Sequence, residues 1–262
     1  MRLVAKDLSF TYDGEHYLWK DVSLTVHKGE IFSIMGANGC GKSTLIKSLI
    51  GFLHPETGSV FLELDDGTVL NPVDDAKEYT KHIGYAPQMQ DSSYSYTIRD
   101  YVVMGRAVHL GLFSKPGKRD YELTDEVLQE MHLYEIRNQS FNTLSGGQQR
   151  QAVIARAIVQ QPDLVVMDEP TNHLDYGNQY RVIEMIEKLA ARGISVVLTT
   201  HMPDQAMYFG SICGIMLHQH LYVGQEAVII TEKTLRELYG IDIKMIRVPG
   251  VRRRICVANP EC

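Results

Sequence analysis

No stretch of this 262-residue chain is apolar for long enough to cross a bilayer. Its longest apolar runs, such as LVVM at 164–167, have the length of a strand, against the about 20 residues that a membrane helix needs. The opening segment, MRLVAKDLSF, holds Lys6 and Asp7 where a secretory leader would carry an unbroken apolar core, so no leader is expected. A soluble chain is the expectation. The four cysteines, at 40, 213, 256 and 262, lack metal-ligand spacing, and a chain of this size without a leader is not expected to rely on disulfides. A reducing cytoplasm fits best. The formal net charge of −6 argues against a nucleic acid partner held by a broadly basic surface, and Arg252, Arg253 and Arg254 read as a solvated tail. Low-complexity tracts and internal repeats are also missing. What remains is a globular composition, 44% hydrophobic and 22% charged, long enough for one large α/β domain or a main domain with a smaller lobe.

Short β-rich runs open the chain: RLVAKDLSF, VSLTV at 22–26 and IFSIM at 31–35, separated by the turn-like YDGE and HKGE. A helix, STLIKSLI, follows a glycine loop and stops at Gly51, and VFLEL leads through Asp65, Asp66 and Gly67 into a hairpin. From Thr97 to about Gln139 the period turns helical, in TIRDYVVMGR and TDEVLQEMHL, with Gly111, Pro116 and Gly117 between them. After LSGGQ a helix runs to Gln161, and the buried strand LVVM follows Pro162. A helix with Val182, Ile186 and Leu189 on one face then leads to the strand ISVVLTT. Strand, helix and strand in this order predict a parallel sheet with right-handed crossovers. The expected fold is α/β: a core with a parallel sheet, an N-terminal antiparallel β subdomain and an inserted helical subdomain, and the glycine loop GANGCGKST at 36–44, which fits G-x-x-x-x-G-K-[ST], makes that core a P-loop NTPase core.

Residues 36–44, GANGCGKST, match the pattern G-x-x-x-x-G-K-[ST] between an apolar strand and a helix, the context that phosphate binding requires. Gly36, Gly39 and Gly41 let the backbone of Asn38, Cys40 and Thr44 wrap phosphates, and N–H groups at the helix start face their charge. Lys42 is expected to reach the β- and γ-phosphates and Ser43 to ligate Mg²⁺. Asp168 closes a buried strand expected to lie beside the P-loop strand, which suits a second metal contact, and Glu169 is placed to polarise an attacking water. Without the P-loop, the pair would read only as an acidic helix start before Pro170. His201, just past ISVVLTT, is a candidate γ-phosphate contact, although a lone histidine is more often structural. Gln88, ending the strand of GYAPQ, can ligate Mg²⁺ through its amide oxygen and contact the water. Tyr12 is a candidate for stacking on the nucleobase, a contact worth roughly 1–3 kcal/mol in other base–aromatic stacks. No N-K-x-D guanine-reading segment is present, so ATP is preferred by default.

A second glycine motif, LSGGQ at 144–148, lies a hundred residues downstream. Gly146, Gly147 and Gln148 open a helix whose free N–H groups and dipole suit an anion, with the Ser145 hydroxyl beside them. One nucleotide already has its loop. The motif therefore reads either as a capped glycine-rich connection or as half of a composite site, facing the ATP of a second copy in a head-to-tail C2 pair.

The P-loop, LSGGQ, LVVMDEP, TNHLD, Gln88 and His201 stand in the order found in ATP-binding-cassette (ABC) ATPases, which the chain resembles over roughly residues 1–240. The resemblance implies the head-to-tail ATP sandwich, with Asp175 in the loop that crosses the dimer interface. YTIRDYVVMGR, TNHLDYGNQ and LYGIDIKMIRV look like the ATPases of importers for iron chelates, haem and cobalamin. Those subunits dock on a polytopic membrane permease fed by an extracytoplasmic substrate-binding protein, which implies a peripheral place on the cytoplasmic face of the membrane. In them a permease helix sits near the Gln88 loop, so Met89, Tyr94, Tyr96 and Met104 are contact candidates, or alternatively core or ordinary surface. The domains implied are an ABC ATPase domain over 1–240, with the helical subdomain at about 97–160, and a C-terminal extension over 241–262 that matches no motif. The competing reading is a soluble single-cassette ATPase of the iron–sulfur cluster assembly type. Repair ATPases carry long coiled-coil insertions and translation factors carry two cassettes, and this chain has neither.

Overall fold

The computed structural model describes residues 1–88, 96–111, 113–251 and 253–259. Strands β1 (Arg2–Thr11) and β2 (Tyr17–His27) pair antiparallel from Arg2 opposite His27 to Thr11 opposite Tyr17. Asp13 closes their turn by accepting the Glu15 and His16 amides at 2.9 and 2.8 Å. Strand β3 (Ile31–Gly36) leaves this sheet and ends in the glycine loop, from which α1 (Lys42–Leu49) departs. Strands β4 (Thr57–Glu63) and β5 (Val69–Leu70) complete an antiparallel sheet of order β2-β1-β4-β5. Alternation along β1 and β2 turns Leu3, Ala5, Leu24 and Val26 inward, as a half-buried sheet requires.

After the short α2 (Ala76–Tyr79) the chain enters β6 (Ile83–Ala86), then α3 (Ile98–Val103), which tightens into a 3₁₀ segment over Met104–His109. Helix α4 (Lys118–Glu130) begins six residues ahead of the periodic segment at Thr124, and α5 (Gly146–Ile158) follows. Strand β7 (Leu164–Met167), α6 (Tyr176–Ala191), β8 (Ser195–Thr200), α7 (Pro203–Phe209), β9 (Ile212–Leu217) and β10 (His220–Gln225) complete the central sheet. Its order is β10-β9-β3-β8-β7-β6, parallel except for β10 at the edge. The fully buried LVVM and SVVLTT runs are what a parallel sheet covered on both faces demands.

One expectation is corrected by this order. The strand that ends at Asp168 is not beside the P-loop strand, because β8 lies between them, pairing Met35 with Thr200 on one side and Met167 with Leu198 on the other. Periodicity tells which segments are strands but says nothing of which strand takes the middle.

Two apolar cores flank the sheet. One joins α1 and the antiparallel sheet through Leu45, Ile46, Leu62 and Trp19, and the other joins α3, α4 and α5 through Ile98, Leu128, Ile154 and Phe141. A third cluster forms around α8 (Glu226–Ile229), α9 (Glu232–Tyr239), β11 (Ile243–Arg247) and β12 (Arg254–Ala258). The arginine triplet is therefore not simply a solvated tail. Arg253 donates to the Asp204 carbonyl at 2.8 Å and lies over the Tyr208 ring, and Arg254 pairs with Glu226, while Arg252 falls outside the described residues. The β11–β12 pairing, from Ile243 opposite Ala258 to Arg247 opposite Arg254, folds the basic run back onto α7.

Gly105 sets how closely the 3₁₀ segment lies against α5, since a Cβ there would stand 2.0 Å from the Arg156 carbonyl oxygen. Gly105→Ala is expected to cost about 1–3 kcal/mol by forcing these backbones apart, read as a lowered urea midpoint at unchanged slope.

Candidate nucleotide site

The glycine loop departs from the buried end of β3. Gly39 and Gly41 stand at φ +81° and +100°, in the left-handed region that glycine enters without strain. At Gly41 a Cβ would also press on Trp19 and Leu18 at 2.8 and 2.9 Å, and at Gly36 it would meet the Cys40 sulfur at 2.5 Å. Lys42, 5% exposed, donates to the carbonyls of Gly36 and Ala37 at 2.9 and 3.0 Å, with Glu169 Oε1 at 3.8 Å from its Nζ. Burial pushes the Cys40 thiol up from its ordinary range, so it fits here as a small side chain and a poor nucleophile.

Across the cleft, Asp168 is buried at the end of β7 and its amide continues the ladder to Ala86. Thr199 of β8 organises both acids: its hydroxyl donates to Asp168 Oδ1 at 2.6 Å and accepts the Glu169 amide at 2.9 Å. Glu169 adopts φ +46°, uncommon for a residue with a Cβ. Its carboxylate accepts Asn172 Nδ2 at 2.8 Å on one oxygen, and His201 Nδ1 lies 3.4 Å from the other. Lys42, Glu169 and His201 are thus brought together.

The resulting cleft, about 550 Å³, is lined by Tyr12, Asn38, Lys42, Ser43, Gln88 and Glu169, among others. Tyr12 is 69% exposed at its rim and holds Thr44 through a 2.9 Å hydroxyl contact. Asn172 and His173 line it too, although the sequence reading treated TNHLD only as an interface loop. Met89 and Tyr94 lie outside the described residues, and Tyr96 and Met104 are exposed.

Ser145, Gly146, Gly147, Gln148 and Asp175 do not line this cleft. Ser145 caps α5, accepting the Gln148 amide at 3.3 Å while Gln148 Oε1 accepts the Ser145 amide at 3.0 Å, a reciprocal box. Asp175 caps α6 by accepting the Asn178 amide at 2.9 Å, and that bond holds its carboxyl below the usual range. A Cβ on Gly147 would strike the Asn178 amide group at 2.6 Å, so the two capped helix starts meet because position 147 has no side chain.

Arg150 was missed by the sequence reading. It is 2% exposed and donates to the carbonyls of Pro170, Pro87 and Asp168 at 2.9, 2.6 and 2.8 Å. Burial lowers its pKa to about 10, so it is a cation at neutral pH. The signal was its place four and eight residues before Ile154 and Ile158, which puts a guanidinium on the apolar stripe.

A family model described as "ABC transporter" matches residues 19–172. The molybdate import ATP-binding protein MolC of Haemophilus influenzae is 33% identical, over 91% of this chain and 88% of its own length. A solved structure described as "an inward-facing conformation of a putative metal-chelate type ABC transporter" superposes with a TM-score of 0.86 at 30% identity, covering 99% of this chain and 98% of that one. A dimeric bacterial ABC transporter cassette superposes at 0.73 with 29% identity, covering 86% of this chain and 98% of that one.

Removing the Arg150 guanidinium leaves three carbonyls, one before Gln88 and two in the acidic turn, without their donor. Arg150→Met is expected to cost at least about 3 kcal/mol, at 1–3 kcal/mol for each unpaired buried group, as measured by equilibrium urea unfolding.

Proposed function

The chain belongs to the ABC transporter family and is an ATPase of the ATP-binding-cassette type, and from that premise we propose that it is the ATP-hydrolysing subunit of a membrane importer for a metal chelate. Iron–siderophore, haem and cobalamin are the cargo class. Likeness along nearly the whole chain to a metal-chelate transporter supports this, and the molybdate relative keeps an oxyanion as the competing cargo. Residues 1–240 form the ATPase domain in this reading, with the helical subdomain at about 97–160.

The observation that carries the mechanism is the separation of the two glycine motifs. The P-loop cleft holds Lys42, Ser43, Gln88 and Glu169 but none of LSGGQ, whose helix start is built and capped elsewhere. A second copy, turned head to tail, brings its Ser145, Gly146, Gly147 and Gln148 to this copy's ATP, and Asp175 to the joint. ATP then holds the copies together and hydrolysis releases them.

The cradle fits a triphosphate: left-handed glycines bend the loop, α1 begins at its end and a buried ammonium lies among carbonyls. Among the described residues no three histidine, cysteine or acidic side chains gather as a cation cage. A Mg²⁺ ion at this cleft would rest on Ser43, Gln88 and Asp168 together with phosphate oxygens, and its chemistry is to neutralise charge across the β- and γ-phosphates. Asn172 and His201 hold the two oxygens of Glu169, so its carboxylate is aimed before a water arrives. Glu169 orients that water and takes its proton, Lys42 steadies the phosphate charge, and His201 contacts the γ-phosphate. Tyr12 offers its ring to the base.

No helix among the described residues is long and apolar enough to cross a membrane. In the proposed assembly the subunit sits peripherally at the cytoplasmic face on permease subunits, reached through Tyr96 and Met104, and an extracytoplasmic substrate-binding protein delivers the cargo. Co-purification with a polytopic membrane protein is the expected result, and recovery with a soluble scaffold instead would transfer the chain to cluster assembly.

Glu169→Gln is expected to keep ATP binding and lower turnover at least ~10²-fold in a phosphate-release assay. In light scattering, the same variant with ATP but no Mg²⁺ is expected to double its mass. Adding Ser145→Arg should return it to monomer, and a persisting dimer would remove LSGGQ from the interface.

A further inference from the structure

His201 stands one residue beyond the last paired position of β8. The ladder to β3 ends with Met35 opposite Thr200, so the sheet no longer holds the backbone that carries the imidazole. Something else must fix it. Tyr239, the last residue of α9, donates its hydroxyl to the His201 carbonyl at 2.6 Å. The C-terminal hairpin grips the same segment three residues on. Arg253 donates to the Asp204 carbonyl at 2.8 Å, and the Cys256 amide donates to Asp204 Oδ1 at 3.2 Å.

Helix α9 shares an apolar cluster with the P-loop strand. Leu235 and Leu238 pack in one cluster with Met35 of β3 and Ile215 of β9, with Ala37 of the glycine loop and Tyr239 at its margin. Burial raises the Tyr239 phenol well above its ordinary range, so it stays a donor at any working pH. The phenol thereby links two parts of one site: its helix belongs to the apolar cluster that includes Met35 of the strand leading to the phosphate loop, and its hydroxyl holds the residue facing Glu169.

We propose that Tyr239 is a positioning residue for hydrolysis, holding the His201 backbone so that its imidazole stays against Glu169. This rests on the reading of His201 as a contact in the reaction. It concerns neither nucleotide binding nor cargo, and it acts through one hydrogen bond.

Tyr239→Phe removes the hydroxyl and keeps the ring. The expected result is a kcat lowered about 3–10-fold, the effect of one lost neutral hydrogen bond, with KM for ATP within about two-fold. The thermal midpoint is expected to fall by no more than about 4 °C. The His201 imidazole signal, assigned by its loss in His201→Ala, is expected to move in the NMR spectrum of Tyr239→Phe. An unchanged kcat with His201→Ala inactive would overturn the proposal and leave the role of His201 standing. Full turnover in His201→Ala would remove that role and the proposal with it. A fall in kcat, KM and midpoint together with an unmoved imidazole signal would reduce Tyr239 to packing, and so overturn it too.

Discussion

An ammonium can be buried only where acceptors surround it, and Lys42 states that condition for the whole molecule. Its Nζ needs the Gly36 and Ala37 carbonyls turned inward, which bends the loop into left-handed φ at Gly39 and Gly41. Glu169 must approach within 3.8 Å, and this requires β7 to end level with β3 although β8 separates them. Thr199 sits on that intervening strand and bonds both Asp168 and the Glu169 amide, so the middle strand acts as the ruler between phosphate loop and acids.

The second glycine motif obeys a different constraint. Its helix start is satisfied locally by the Ser145 and Gln148 box, and its direction is fixed by Arg150 at one turn and by the Gly105 contact farther along. Arg150 joins carbonyls at Pro87, Asp168 and Pro170, so the helix that presents LSGGQ, the segment leading to Gln88 and the acidic turn share one cation. Any displacement of one is felt by the other two.

The C-terminal segment shows how little composition alone says about a role. Three adjacent arginines suggest a solvated run, yet Arg253 and Arg254 each find an acid, and the strand pairing of β11 with β12 is what brings them there. Apolar residues of the same two strands, Ile243 and Met245 of β11 and Cys256 of β12, join the cluster that includes Met35 of the P-loop strand.

The local chemistry was legible in the sequence because it is contiguous. Residues 36–44 carry their turn, their helix start and their lysine within nine positions, and Asp168, Glu169 and His201 stand at the ends of runs whose burial the pattern announces. Ser145 was visible for the same reason, since a cap and the amide it accepts lie three residues apart, whereas Asp175 came only from the resemblance to ABC ATPases. What the sequence could not hold was adjacency between distant segments. Only the tertiary structure put β8 between β3 and β7, aimed Arg150 at three carbonyls, set His201 against Glu169 and carried Tyr239 to His201, because each contact depends on strand order and helix docking rather than on neighbours along the chain.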